Sequence, residues 1–234
     1  MQEPCGPSTI SSRDAAGRCS VSQPLKEGAK RASPDFYLAL VGMIASLAFG
    51  YLLASLAPGR LFGVSADALY WLQGTAILQA IVLTWHEYAT GTACFVWPTD
   101  HFDSTIPFLF GLSLFACITL MQQEMVAAWF YSMAAFAGVT GLAYRNQCVK
   151  ARRETENRDA LRSLGRFYPM ASLSVLVGLV FSIGSALAVT AYAGVGQLGI
   201  ALAAALNVLF LTHAVMTHVL RSKAKDIPRQ QRGG

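Results

Sequence analysis

Residues 125–144 read MVAAWFYSMAAFAGVTGLAY, and the nine residues that follow, 145–153, read RNQCVKARR. The first stretch carries no charged side chain and has the length that a helix needs to cross a hydrocarbon core about 30 Å thick. Lys and Arg accumulate on the cytoplasmic side of membrane-spanning helices. The stretch therefore predicts a membrane-spanning helix whose carboxyl end faces the cytoplasm.

Five further apolar stretches of the 234-residue chain resemble this one. The six predicted spans are 36–57, 68–85, 106–121, 125–144, 169–192 and 198–220. The third span is short, and Pro107 lies in its first turn, where the missing N–H costs no helical hydrogen bond. The sequence thus predicts an all-α polytopic membrane protein, a bundle of six transmembrane helices over residues 36–220.

Composition supports this class and excludes others. Hydrophobic residues make up 54% of the chain and charged residues only 13%, which leaves too little polar surface for a soluble domain of this length. The net charge of +5 is not accompanied by a basic patch with interleaved aromatic residues, so we expect no nucleic-acid partner.

The orientation follows from the basic residues between the predicted spans. Seventeen of the 18 Lys and Arg residues lie in the N-terminal tail, in the segment after the fourth span or in the C-terminal tail, and only Arg60 lies elsewhere. An even number of spans places these three segments on one side of the membrane. We therefore expect both termini to be cytoplasmic, a location in the cell (inner) membrane, and contact of the basic segments with anionic lipid.

The segments outside the spans carry few other signals. Residues 1–35 are predicted to be a flexible tail without a signal peptide, and 221–234 a basic cytoplasmic tail. Residues 145–168 are predicted to continue the fourth span as a charged helix, because oppositely charged residues recur four apart. The five cysteines form no CxxC pair, so we assign them no disulfide and no zinc site.

Small residues recur every four positions in two spans. The first span carries Gly42, Ser46, Gly50 and Ala54, and the fifth carries Ser174, Gly178, Ser182 and Ala186. Such stripes let helix backbones approach closely in lipid. We predict that they serve packing within the bundle, and the alternative is an interface between copies of the chain.

The stretch between the second and third spans, residues 87–104, contains no Lys or Arg and is rich in aromatic residues. We expect it to be a loop that lies in the membrane interface or dips back toward the bundle. It brings titratable groups to one membrane face, and imidazole and carboxylate groups are common metal ligands. The candidate metal ligands are His86, Glu87, Asp100, His101, Asp103 and His218. The alternative for these residues is helix capping or interaction with a helix dipole.

Polar residues within the spans are few and mostly uncharged. Gln79, Asn207 and His213 are candidates to line a solute pathway, although cross-helix hydrogen bonds are the simpler use of the two amides. No Asp, Glu, Lys or Arg is predicted at mid-membrane, which weakens an ion-coupled mechanism.

Three functional classes remain open from the sequence. We expect a non-catalytic membrane component, such as an accessory, assembly or effector subunit, that acts through helix packing and contact with a membrane-protein partner or a second copy. The second class is a channel or transporter for a small neutral or weakly polar solute. The third is an intramembrane metal-dependent enzyme. No stretch matches a catalytic or cofactor fingerprint, so we predict no catalytic residue and no cofactor.

Overall fold

The computed structural model describes residues 22–56, 68–94, 101–153, 161, 167–192 and 195–222. Within these residues the protein is all-helical, and six helices are long and apolar enough to cross a membrane. The helices are α1 (Ser22–Ser55), α2 (Ala68–Cys94), α3 (His101–Gln122), α4 (Val126–Arg153), α5 (Phe167–Ala191) and α6 (Val195–Ser222). The six-helix prediction is therefore confirmed, whereas the orientation of the termini stays a prediction.

The largest difference from prediction concerns residues 87–104. Helix α2 continues to Cys94 and α3 already begins at His101, so most of the predicted loop is helical. The ring of Tyr88 is buried and lies edge-on to Phe110, at 6.1 Å between ring centroids. This packing gives the end of α2 an apolar partner and holds it in the bundle. Residues 95–100, the remainder of the predicted re-entrant loop, lie outside the described residues.

Two other helices extend past their predicted spans. Helix α4 runs to Arg153, in agreement with the predicted charged continuation, although most of residues 154–168 lies outside the described part of the chain. Helix α1 begins at Ser22, within the stretch predicted as a flexible tail. Residues 25–32, LKEGAKRA, are mostly good helix formers, so propensity supports a helix where composition suggested a disordered tail.

Helices α2 to α6 form a ring in which each helix contacts the next, and α6 contacts α2. Helix α1 packs outside this ring against α2 and α3. Helix α1 lies close to α3 at Gly111, where an added Cβ would lie 2.9 Å from a methyl carbon of Ile44. A side chain at position 111 would push α1 away from α3.

Helices that follow each other in the chain are antiparallel, so the bundle has two distinct ends. At one end α1, α3 and α5 begin while α2, α4 and α6 end; the Tyr37 and Ser104 hydroxyls lie 3.2 Å apart there. The charged residues Arg145, Lys150, Arg152 and Arg153 of α4 lie toward this end, which we call the basic end. At the opposite end the Tyr70 hydroxyl donates to the Ser55 carbonyl at 2.8 Å.

The turn between α3 and α4 lies at the opposite end. At the end of α3 the Met125 N–H donates to the Leu120 carbonyl, and the Glu124 N–H donates to the Met121 carbonyl. These are the paired hydrogen bonds of a Schellman motif. Glu124 has a φ of 59°, the left-handed conformation that this motif requires. The tight turn explains why α3 and α4 pack closely.

Both the interior and the outer surface of the described bundle are apolar. Trp129, Phe130 and Ile118 are fully buried in the main core cluster. Large apolar side chains such as Leu112, Val180 and Val215 are more than 60% exposed on the outer surface. Lipid tails can cover such a surface without loss of apolar contact, so this pattern fits a multi-pass membrane protein.

The two small-residue stripes face different directions. On α1, Ser46, Gly50 and Ala54 are exposed, and an added Cβ at Gly42 or Gly50 would meet no atom within 4 Å. The prediction that this stripe packs within the bundle is therefore wrong, because α1 packs on its opposite face. On α5 the stripe faces inward, with Ser182 and Ala186 buried.

Candidate functional site

A cavity of about 80 Å³ lies inside the ring of helices α2 to α6. One water needs roughly 10–15 Å³ in this measure, so the space is several waters large. Each of the five helices contributes to the wall, and none of the described side chains of α1 does. The cavity exists because the inward stripe of α5 presents Ser174, Gly178 and Ser182, whose short side chains leave room beside the aromatic residues of α4 and α6.

The wall of the cavity is polar toward the basic end. His213 of α6 is the centre of this region, with Nδ1 2.6 Å from the Ser174 hydroxyl and Nε2 3.4 Å from the Tyr144 hydroxyl. The Ser174 hydroxyl also donates to the Ala171 carbonyl at 2.8 Å. One neutral tautomer accommodates all three contacts: Nδ1–H donates to Ser174, and Nε2 accepts from Tyr144. Three helices are thereby joined at one imidazole.

A carboxylate and an amide lie in the same polar region. Glu87 of α2 and Gln147 of α4 both line the cavity, and one carboxylate oxygen of Glu87 is fully buried. Glu87 lies in the cavity wall because α2 extends two helical turns beyond the predicted span, which places this residue on the inward face of the helix. No Lys or Arg lines the cavity among the described residues.

A series of contacting aromatic rings forms another part of the wall. Phe110 of α3 contacts Tyr88 of α2 and lies 5.4 Å from Phe136 of α4, measured between centroids. Phe136 in turn lies 6.5 Å from Phe210 of α6. All three contacts are edge-on, which is a favourable geometry for aromatic pairs. The cavity is therefore polar at one end and aromatic along its depth.

A buried ion pair lies near the cavity at the basic end. Asp103, in the first turn of α3, accepts hydrogen bonds from the Lys150 ammonium and the Asn146 amide of α4. The side chains of Lys150 and Asp103 are 10% and 9% exposed. The pair joins the start of α3 to the end of α4, with the Lys150 ammonium in contact with the Asp103 carboxylate.

The candidate metal ligands that the structure describes have different surroundings. Glu87 lines the cavity, Asp103 is paired with Lys150, and His218 is exposed on α6. His86 is half-buried on α2, and His101 is the first residue of α3. Among the described residues no three His, Cys, Asp or Glu side chains are close enough to hold a metal ion together. Asp100 lies outside that part of the chain, so the metal site stays a prediction.

The three candidate pathway residues have different positions. His213 lines the cavity. The Asn207 amide donates to the Leu72 carbonyl at 3.0 Å and to the Ala203 carbonyl at 2.8 Å, so it joins α6 to α2. Gln79 is half-buried on α2 and is not part of the cavity wall.

Sequence reasoning did not single out Tyr144, Gln147 and Ser174 as cavity residues. Tyr144 and Gln147 are three apart and so share a helix face, but the apolar span ends at Tyr144, and Gln147 belongs to the basic segment in sequence. In the sequence, Ser174 is part of a small-residue stripe that predicts helix packing. A polar residue such as Ser174 on a small-residue stripe indicates a cavity only when the stripe is known to face the interior of the bundle.

The polar groups of the cavity are suited to hydrogen bonding. Ser174 lies inside helix α5, where backbone N–H groups are bonded along the helix and cannot stabilise an oxyanion. The hydroxyl, imidazole, amide and carboxylate groups can instead hydrogen-bond a bound molecule. Comparison of the chain with protein-family models, curated proteins and solved structures finds no match.

Proposed function

We propose that this protein binds a small organic molecule inside its membrane bundle, in the manner of a channel or transporter for small solutes. The observation that carries this proposal is the cavity among α2 to α6, with hydrogen-bonding groups at one end and aromatic rings along its depth. Ligand sites are commonly concave, mostly apolar and marked by a few convergent polar groups. Cavities between the helices of a bundle are a frequent place for them.

The experiment uses Gly178, which lines the cavity and has no atom within 4 Å of an added Cβ. Gly178→Phe should fill the cavity, whereas Gly178→Ala should leave most of it open. We expect fluorine NMR to show saturable binding of para-fluorobenzyl alcohol to the purified protein and to Gly178→Ala. Gly178→Phe should lose this binding. Equal signals from all three proteins would mean that the probe occupies detergent or another surface, and would contradict the proposal.

We further propose that the basic end faces the cytoplasm in the cell (inner) membrane. The support is the charge distribution, with 17 of 18 Lys and Arg residues in the segments that would share that side. These residues would also attract anionic lipid headgroups.

A second candidate is the non-catalytic component that acts through a membrane-protein partner. One observation favours it: the stripe of Ser46, Gly50 and Ala54 faces outward on α1. A face of this kind can accept another helix at short distance. Native mass spectrometry of the detergent-released protein tests this candidate, since a bare monomer without a copurifying protein would contradict it.

A further inference from the structure

We infer that the bundle holds a second binding site, farther from the basic end than the cavity, for a small neutral molecule that carries a primary amide group. The site consists of four uncharged polar side chains, which we call the polar layer. They come from α2, α4, α5 and α6 and are Gln73, Trp129, Ser185 and Asn207. The inference goes beyond the proposed function, because none of the four residues lines the cavity.

Three residues of the polar layer lie at one depth and on helix faces that also line the cavity. Gln73, Trp129 and Ser185 are each eleven residues, or about three helical turns, from a cavity residue on the same face. Helices α2 and α4 run toward the basic end and α5 runs away from it, so all three residues lie beyond the cavity. The matching cavity residues are Thr84, Thr140 and Ser174.

Asn207 of α6 belongs to the same layer. Its amide nitrogen donates to the carbonyl of Leu72, the residue before Gln73, and to the carbonyl of Ala203. Backbone carbonyls only accept hydrogen bonds, so these two contacts fix which end of the Asn207 amide is nitrogen. The other end is an oxygen that is buried and has no hydrogen-bond partner among the described residues.

The polar layer is buried and incompletely paired. Its four side chains are at most 7% exposed. Each of them has a buried nitrogen or oxygen atom without a hydrogen-bond partner in the described part of the chain. Nearly all buried polar groups of native proteins are paired, because an unpaired one costs about as much free energy as a lost hydrogen bond. Four such atoms in one layer therefore indicate a bound polar group.

The unpaired atoms complement a primary amide. The amide nitrogen of Gln73 and the indole nitrogen of Trp129 are donors. The Asn207 oxygen is an acceptor, and the Ser185 hydroxyl can accept as well. A primary amide offers one oxygen with two lone pairs and one nitrogen with two hydrogens. One such group can thus supply two acceptors and two donors to the layer.

The surroundings of the polar layer favour a neutral molecule over an ion. Residues 68–86, 126–144, 167–191 and 195–220 of the four contributing helices contain no Asp, Glu, Lys or Arg. An ion in this layer would lose its hydration without gaining an opposite charge, which is costly inside a membrane protein. A neutral amide exchanges hydrogen bonds with water for hydrogen bonds with the layer.

The test reads the indole N–H of Trp129 by nitrogen-15 NMR of the purified protein labelled at its four tryptophans. Trp129→Phe identifies the signal. The probes are acetamide, acetate and acetamidinium, which have nearly the same shape and are neutral, anionic and cationic at neutral pH. We expect acetamide to shift the Trp129 signal saturably and both ions to bind at least about tenfold more weakly.

Two variants remove groups of the layer and keep the Trp129 signal. Gln73→Met removes a donor at similar size and should weaken acetamide binding at least about tenfold. It should not lower the unfolding temperature, because the Gln73 nitrogen has no partner in the described residues. Ser185→Ala removes an acceptor and should weaken acetamide binding as well. The matched control is Gln79→Met, on the same helix but outside the layer and the cavity wall, which should bind acetamide unchanged.

Unchanged acetamide affinity in both Gln73→Met and Ser185→Ala would overturn the inference, as would equal shifts with all three probes. The absence of a saturable shift would also overturn it and would mean that water alone occupies the layer. Binding of para-fluorobenzyl alcohol in the cavity is tested separately with Gly178→Phe. A failure of this inference is therefore distinguishable from a failure of the proposed function.

Discussion

At the scale of single residues, Asp103 and Lys150 form a buried ion pair between α3 and α4. Both side chains are largely removed from solvent, and Asn146 donates the second hydrogen bond to the carboxylate. Removing two charges from water raises the free energy of the folded state, and only the attraction between the two partners offsets this cost. The loss of one partner leaves the other charge buried without that compensation. The effect of the pair on stability should therefore be strongly non-additive.

We predict that Asp103→Ala lowers the free energy of unfolding by about 3–5 kcal/mol, because the Lys150 ammonium would stay buried without the Asp103 carboxylate. The double variant Asp103→Ala/Lys150→Met should lose clearly less than the sum of the two single variants. Thermal unfolding of the purified protein in detergent measures all of these. Arg152→Met is the control, because Arg152 is exposed on the same helix end and its loss should change stability by less than about 0.5 kcal/mol. Additive losses would contradict a buried pair.

Sequence reasoning found some of these residues without finding their roles. The sequence predicts Asp103 as a metal ligand or a helix cap, and Lys150 only as one of many cytoplasmic charges. The two are 47 residues apart, and no local pattern relates them. Their pairing depends on how α3 and α4 are positioned by the turn at the far end of both helices. A similar limit applies to His213, whose partners Ser174 and Tyr144 come from two other helices.

At the scale of helices, hydropathy predicted the number of elements well and their ends less well. A polar or aromatic residue ends an apolar stretch, but it does not end a helix when it can be buried against a neighbour. Tyr88 illustrates this, since it extends α2 past the predicted boundary by packing on Phe110. The direction of a small-residue stripe is equally hidden, because in lipid neither face of a helix is distinguished by hydrophobicity.

The contact between α1 and α3 gives a prediction at this scale. Gly111→Val should destabilise the protein by about 1–3 kcal/mol, because an added Cβ would lie 2.9 Å from Ile44 and the stiff Ile side chain cannot move aside. Gly184→Val is the matched control, since Gly184 of α5 is exposed and has no atom within 4 Å. It carries the same change in helix propensity without the clash. Equal shifts in the unfolding temperature would show that α1 does not rest on α3 at Gly111.

At the scale of the whole molecule, the cavity and the charge asymmetry share one end of the bundle. The polar part of the cavity, the Asp103–Lys150 pair and the basic segment of α4 all lie toward the basic end. Positive charge fixes the orientation of the protein during insertion. If the basic end faces the cytoplasm, the polar side of the binding site faces it as well.

This orientation predicts the outcome of a labelling experiment with two single-cysteine variants, each made in a chain whose native cysteines are replaced by serine. Glu124→Cys lies in the exposed turn at the opposite end, and Arg153→Cys is exposed at the end of α4. In intact cells a membrane-impermeant maleimide should modify Glu124→Cys and leave Arg153→Cys unmodified. After permeabilisation both should react, which controls for the accessibility of each thiol. The reverse pattern in intact cells would place the basic end outside, against the charge bias of the whole chain, and would put the polar side of the cavity on the outer face.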